Sequence, residues 1–118
     1  MTKRSDIFSY AKKRYGIDPD YPFEKYPNYA VLRQCENEKW FCLVMNVDGT
    51  KLGLEGGKEI DVIDVKCPPA QRHDLLRLPG YKPAYHMNKE HWITVLLNGA
   101  VSQEDIFQLI DQSFELVR

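Results

Sequence analysis

Residues 83 to 95, Pro83-Ala84-Tyr85-His86-Met87-Asn88-Lys89-Glu90-His91-Trp92-Ile93-Thr94-Val95, crowd two of three histidines, one of two tryptophans and a lysine before a β-branched run. From Trp92 to Leu97, the set Ile93, Val95 and Leu97 alternates with Trp92, Thr94 and Leu96. That period of two predicts a strand that is apolar on both faces. The pattern recurs over Lys39 to Val47, where Phe41, Leu43, Met45 and Val47 alternate with Trp40, Cys42, Val44 and Asn46. Such strands belong inside a sheet, or in a sheet whose outer face meets something besides water. With the first set of each strand turned toward helices, Trp40, Val44, Trp92 and Leu96 form a candidate protein-interaction face. Cover by loops or by the chain's own ends is the alternative.

Outward from these strands, Tyr29 to Arg33 reads as a hairpin partner of Lys39 to Val47, joined through Gln34 to Glu38. Upstream, Ile7, Phe8, Ala11 and Tyr15 share one face of a helix over residues 3 to 15, which Thr2 or Ser5 caps and Gly16 stops. Three prolines between Asp18 and Asn28 forbid a regular helix there, leaving an extended or turning chain whose aromatics wrap the core edge. Downstream, Asp48 to Glu59 is a glycine-rich loop. Its Gly57-Lys58 is followed by Glu59 instead of Ser or Thr, so a phosphate loop is excluded. The strand Ile60 to Cys67 jumps register from Ile60 and Val62 to Ile63, Val65 and Cys67, as a β-bulge or an early irregularity would produce. Pro68-Pro69 opens a short helix that ends near Leu78 before Pro79-Gly80. Finally, Ser102 caps a helix stapled by Val101 and Ile106, with Leu109, Ile110, Ser113, Leu116 and Val117 along its stripe. The order of elements predicts an α+β two-layer sandwich, a mainly antiparallel sheet with helices on one face. At 118 residues the chain is expected to be one domain, 1–118.

No stretch approaches the roughly 20 apolar residues of a membrane span, and no cleaved export signal is visible. Cys35, Cys42 and Cys67 are odd in number and contain no C-x-x-C pair, so neither a disulfide framework nor a zinc ribbon is suggested. A reducing cytoplasm is the expected compartment, without a membrane partner. Net charge is only −1, which gives no global pull toward nucleic acid. Its distribution is uneven. Residues 1 to 33 carry seven basic and four acidic side chains, and residues 66 to 92 carry five and two.

The 83–95 stretch, Leu97-Asn98-Gly99 and the capped helix Ile106 to Val117 together resemble the MmcQ/YjbR family. Tyr21-Pro22-Phe23, Tyr29-Ala30-Val31, Lys39-Trp40-Phe41 and the Lys66-Cys67-Pro68 junction extend the resemblance over nearly the whole chain. The resemblance implies a secretion-chaperone-like, CyaY-like fold with a double-wing DNA-binding arrangement, and no enzymatic activity. Double-stranded DNA is then the expected partner. Candidate contacts are Lys66, Arg72, Arg77, Lys82 and Lys89 on the phosphate backbone, with His86 and His91 assisting. The local alternative for the same motif has Trp92 packing, Met87 filling a gap, Asn88 forming a turn and both histidines hydrogen-bonding nearby. A homodimer or another protein on the outer sheet face is the alternative partner. No catalytic residue, cofactor or metal is expected. Cys67 with His86 lacks an orienting third group, and the set His86, His91 and Cys67 lacks ligand spacing.

Overall fold

The computed structural model describes residues 1–118. Five strands, β1 (Ala30–Arg33), β2 (Trp40–Asp48), β3 (Glu59–Lys66), β4 (Tyr81–Pro83) and β5 (Trp92–Leu96), accompany three helices, α1 (Arg4–Tyr15), α2 (Pro69–Leu75) and α3 (Gln103–Leu116). The strands form one antiparallel sheet in the order β1-β2-β3-β5-β4. The expected α+β architecture is therefore the observed one. α1 and α3 lie on one side, where Ile7, Ala11, Ile106 and Ile110 pack on Ile63, Val65, Ile93 and Val95. Asp111 on α3 ties the two helices together, accepting from the Tyr10 hydroxyl (2.7 Å) and the Tyr15 hydroxyl and pairing with Arg14 (3.0 Å).

Ser102 caps α3 as its sequence predicts, accepting from the Asp105 N–H at 3.2 Å, and Val101 and Ile106 are both buried. α1 is capped differently from expectation. Lys3, not Thr2 or Ser5, holds the cap position, and the Asp6 carboxylate accepts from the Lys3 N–H at 2.8 Å. α2 ends at Leu75, short of Leu78, because the chain turns into β4, a three-residue edge strand that the sequence does not announce. Pro83 is tolerated in it because β4 borders only β5. Gly80 precedes β4 with φ +92°, and a Cβ there would stand 2.5 Å from Val101, so glycine is required on both counts.

The β-bulge lies elsewhere than expected. β2 and β3 pair without interruption from Cys42–Val65 to Asp48–Glu59. The irregularity falls instead between β1 and β2, where Leu32 pairs with Cys42 and Arg33 with Trp40, leaving Phe41 as the extra residue. An extra residue reverses the alternation beyond it. Phe41, Cys42 and Val44 therefore join the helix-side core, while Leu43, Met45 and Val47 join a second cluster on the opposite, outer face. The apparent register jump in β3 has another source: Asp61 pairs with Arg4 of α1 at 2.9 Å, and Asp64 is a buried carboxyl on the outer face.

Candidate binding face

The outer face is covered by two irregular segments. Residues 20–29 run back across it, pinned where Asp20 and Val31 exchange backbone hydrogen bonds of 2.9 and 2.8 Å and where Arg33 pairs with Asp20 at 3.0 Å. Residues 84–91 cover the other half, with Tyr85 and Met87 packed on the cluster that holds Tyr29, Val31, Leu43, Met45, Val62 and Leu96. The expected interaction patch is consequently not an open surface. Trp40 is half-buried, Trp92 and Leu96 retain 9% and 2% exposure, and Val44 is fully buried on the helix side because of the bulge.

Between the covering segments lies a pocket of about 360 Å³. Phe23, Tyr26, Tyr29 and Trp40 form its aromatic wall, Leu43 its sheet-borne floor, and His86 and Met87 its far side. Phe23 meets Trp40 and Tyr29 edge-on at 5.7 and 6.1 Å between centroids, and Tyr26 stacks on Tyr29 at 4.6 Å. The Arg33 guanidinium lies 5.7 Å from the centre of the Trp40 ring. His86 has φ +66°, a left-handed backbone uncommon outside glycine and concentrated at functional sites.

Pairing places Val31, Leu43, Asp64, Thr94 and Lys82 in one row across the outer face. Asp64 is the neighbour of the pocket floor. Its Oδ1 accepts from the Thr94 hydroxyl at 2.5 Å, Thr94 Oγ1 in turn accepts from the Tyr85 N–H at 2.9 Å, and Asp64 Oδ2 has no partner. Burial pushes the Asp64 carboxyl up to about 8, against the Thr94 hydroxyl and the Lys89 ammonium, which pull it down. Asp64 is therefore mostly protonated at neutral pH. Lys89 spans its own loop, donating to the Ala84 carbonyl at 2.7 Å. Asn88 makes the turn beside it, its side chain accepting from the N–H groups of Glu90 and His91. The local reading of the motif thus describes Trp92, Met87 and Asn88 well, whereas His86 and His91 are exposed rather than locked by side-chain hydrogen bonds.

The two basic segments fare differently. In the first, Arg4, Lys12, Arg14 and Arg33 pair with Asp61, Asp18, Asp111 and Asp20. In the second, none of Lys66, Arg72, Arg77, Lys82 and Lys89 makes an ion pair. Their positions divide. Lys66 and Lys82 sit on the outer face beside Trp92 and Thr94, and Lys89, His86 and His91 belong to the segment covering it. Arg72 lies on α2 and Arg77 just after it, in the helix layer, and Arg72 Nε is buried without a partner. The seven candidates are thus five on one side and two on the other. Cys67 is buried in the helix-side core, where desolvation raises its thiol, so the sheet separates it from His86. Phe23, Tyr26, Tyr29 and Asp64 were missed as site residues. The only local signal was Asp64, set between Ile63 and Val65 and one of two aspartates in a β-branched run.

A family model described as YjbR matches residues 13–116. The chain belongs to the YjbR family. It is 49% identical to the uncharacterized protein YyaQ of Bacillus subtilis over 118 residues, all of both chains. It is 41% identical to the uncharacterized protein YjbR of Escherichia coli K12 over 63 residues, 49% of this chain and 52% of that one. A crystal structure of a Pseudomonas syringae protein, 49% identical, superposes with a TM-score of 0.96 over 99% of this chain and 100% of that one. A Deinococcus radiodurans structure, 22% identical with a TM-score of 0.75 over 99% and 79% of the two chains, shares the fold. No helix of this YjbR-family chain is long and apolar enough to cross a membrane.

Proposed function

We propose that the chain is a non-enzymatic, cytoplasmic DNA-contacting module that meets the phosphate backbone through the outer-face cations of residues 66–92. One observation carries this reading: no lysine or arginine of that segment makes an ion pair, while four of the seven in residues 1–33 are paired within the fold. Free lysines release counterions from DNA, whereas paired ones do not. With Lys66, Lys82 and Lys89 as the contacts, about three phosphates are neutralised, and affinity falls roughly 40-fold between 50 and 200 mM salt. Such contacts position the protein without reading sequence. Its three free cysteines suit a reducing compartment. A protein partner on the outer sheet face has less support, because Val44, Trp92 and Leu96 are buried.

Fluorescence anisotropy with duplex DNA across a salt series tests the proposal. The expected result is weak binding with that salt dependence, and a slope smaller by about two in Lys66→Ala with Lys82→Ala. Absence of binding at 20 mM salt would refute it. Arg4→Ala serves as the control, since its guanidinium is already committed to Asp61 and the Asn28 carbonyl.

A further inference from the structure

Backbone contacts alone leave the aromatic pocket without a role. We infer that it is a stacking site for one unpaired nucleobase, presented by a flexible single strand. The inference extends the phosphate-contacting reading but rests on different residues. At about 360 Å³ the pocket falls in the size range of small-molecule sites, and like them it is mainly apolar with one polar group, His86, on its side. Tyr26 stands at the mouth, 47% exposed, already stacked on Tyr29 on one side. An exposed ring backed by a second ring is a platform for a base, and base–aromatic stacking tolerates any sequence.

Occupancy of the tryptophan ring separates a neutral planar guest from a cationic one. Aromatic walls also attract alkylammonium groups. Here the Arg33 guanidinium already lies against Trp40. An adjoining cleft of about 280 Å³ shares Tyr26 and Tyr29 with the pocket and carries Lys25 and Lys51, neither in an ion pair. Two carboxylates share the cleft, Asp48, which accepts from Thr50, and Glu59, which accepts from Asn46 at 2.9 Å. A guest with a neutral ring and an anionic phosphate places the ring among the aromatics and the phosphate near Lys25 or Lys51. A cation finds the Trp40 ring face already taken by the Arg33 guanidinium, which Asp20 holds in place.

The test combines NMR titration of the full chain with binding of single-stranded and duplex oligonucleotides of about ten nucleotides, within the usual site sizes. Adenosine 5′-monophosphate is expected to shift the Trp40 indole and His86 signals, and the single strand to bind about tenfold tighter than the duplex. Tyr26→Ala, a surface change whose fold is checked by circular dichroism, should erase that preference while leaving duplex affinity intact. Equal affinity for single strand and duplex with an unmoved Trp40 signal overturns the pocket assignment and leaves the backbone contacts standing. Nucleotide-induced shifts without oligonucleotide binding uphold the base pocket and overturn the DNA reading instead. Shifts produced by tetramethylammonium but not by the nucleotide overturn the base in favour of an alkylammonium guest.

Discussion

On the helix side of the sheet, Phe41, Ile63 and Ile93 lie beneath α1 and α3, and Ser113, a polar group buried among them, is fully used. Its hydroxyl donates to the Phe41 carbonyl at 2.6 Å and accepts from the Lys66 N–H at 2.8 Å. On the outer side, Leu43, Met45 and Val62 lie beneath two segments without regular structure, and of the two fully buried polar side chains there Thr94 is bonded and Asp64 keeps one oxygen without a partner. Unpartnered atoms also occur in the helix layer, at Arg72 Nε and Gln112 Oε1, so what separates the two faces is the kind of cover. The difference follows from what covers each face. A helix satisfies its own backbone and presents a continuous apolar stripe, so it closes a sheet tightly. Irregular segments 20–29 and 84–91 close it with separate aromatic rings, a left-handed histidine and a gap between them. One face holds the fold together, and the other holds the aromatic pocket.

Paired truncations test that contrast most strongly. Ile63→Ala on the helix side is expected to cost about 2 to 5 kcal/mol, because α1 and α3 cannot follow the lost volume. Leu43→Ala, next to the pocket, should cost clearly less, since residues 20–29 and 84–91 can settle inward. Urea unfolding measures both, and equal losses would mean that the two covers are equally rigid.

The buried carboxyl gives the next largest effect. Asp64 is raised from the ordinary carboxylate range to about 8 in the folded chain. The native state therefore binds the proton more tightly than the unfolded state, and the stability associated with it is fully present below about pH 4. It is lost as pH rises toward and through 8, with a total on the order of a few kcal/mol. Asp64→Asn keeps an acceptor for Thr94 and should remove this dependence, seen as wild-type and variant stabilities whose difference is constant below about pH 4, changes progressively between pH 4 and 8 and is constant again above that. Parallel behaviour at all pH values would place Asp64 in a more polar setting than its contacts indicate.

His86→Gly should change stability by less than about 1 kcal/mol, because relief of the left-handed backbone offsets the added freedom of the unfolded chain. His86→Val at the same site should destabilise by about 1 to 2 kcal/mol, since a β-branched residue fits that backbone poorly. A tolerated valine would show that residues 84–91 are loosely held, which would weaken the case for a preformed pocket.

Several features were legible because their causes are local. Ser102, Val101 and Ile106 announce the start of α3 within six residues, and apolar runs of strand length announce β2, β3 and β5. The side of the sheet taken by Val44 was not legible, because the bulge at Phe41 depends on pairing with β1. β4 was not legible either, since three residues that include a proline carry no strand pattern and β5 alone holds them. The motif at 83–95 drew attention to His86, but the rings it faces come from residues 23, 26, 29 and 40, remote along the chain.

Composition, periodicity and capping thus determined by themselves that this chain forms an antiparallel sheet backed by helices, because those preferences act between residues a few positions apart. Which lysines stay free of carboxylates, which aromatic rings share a pocket and where a carboxyl is stripped of water were decided only by the tertiary structure. Ion pairing, stacking and desolvation depend on distances between segments that the linear order leaves unspecified.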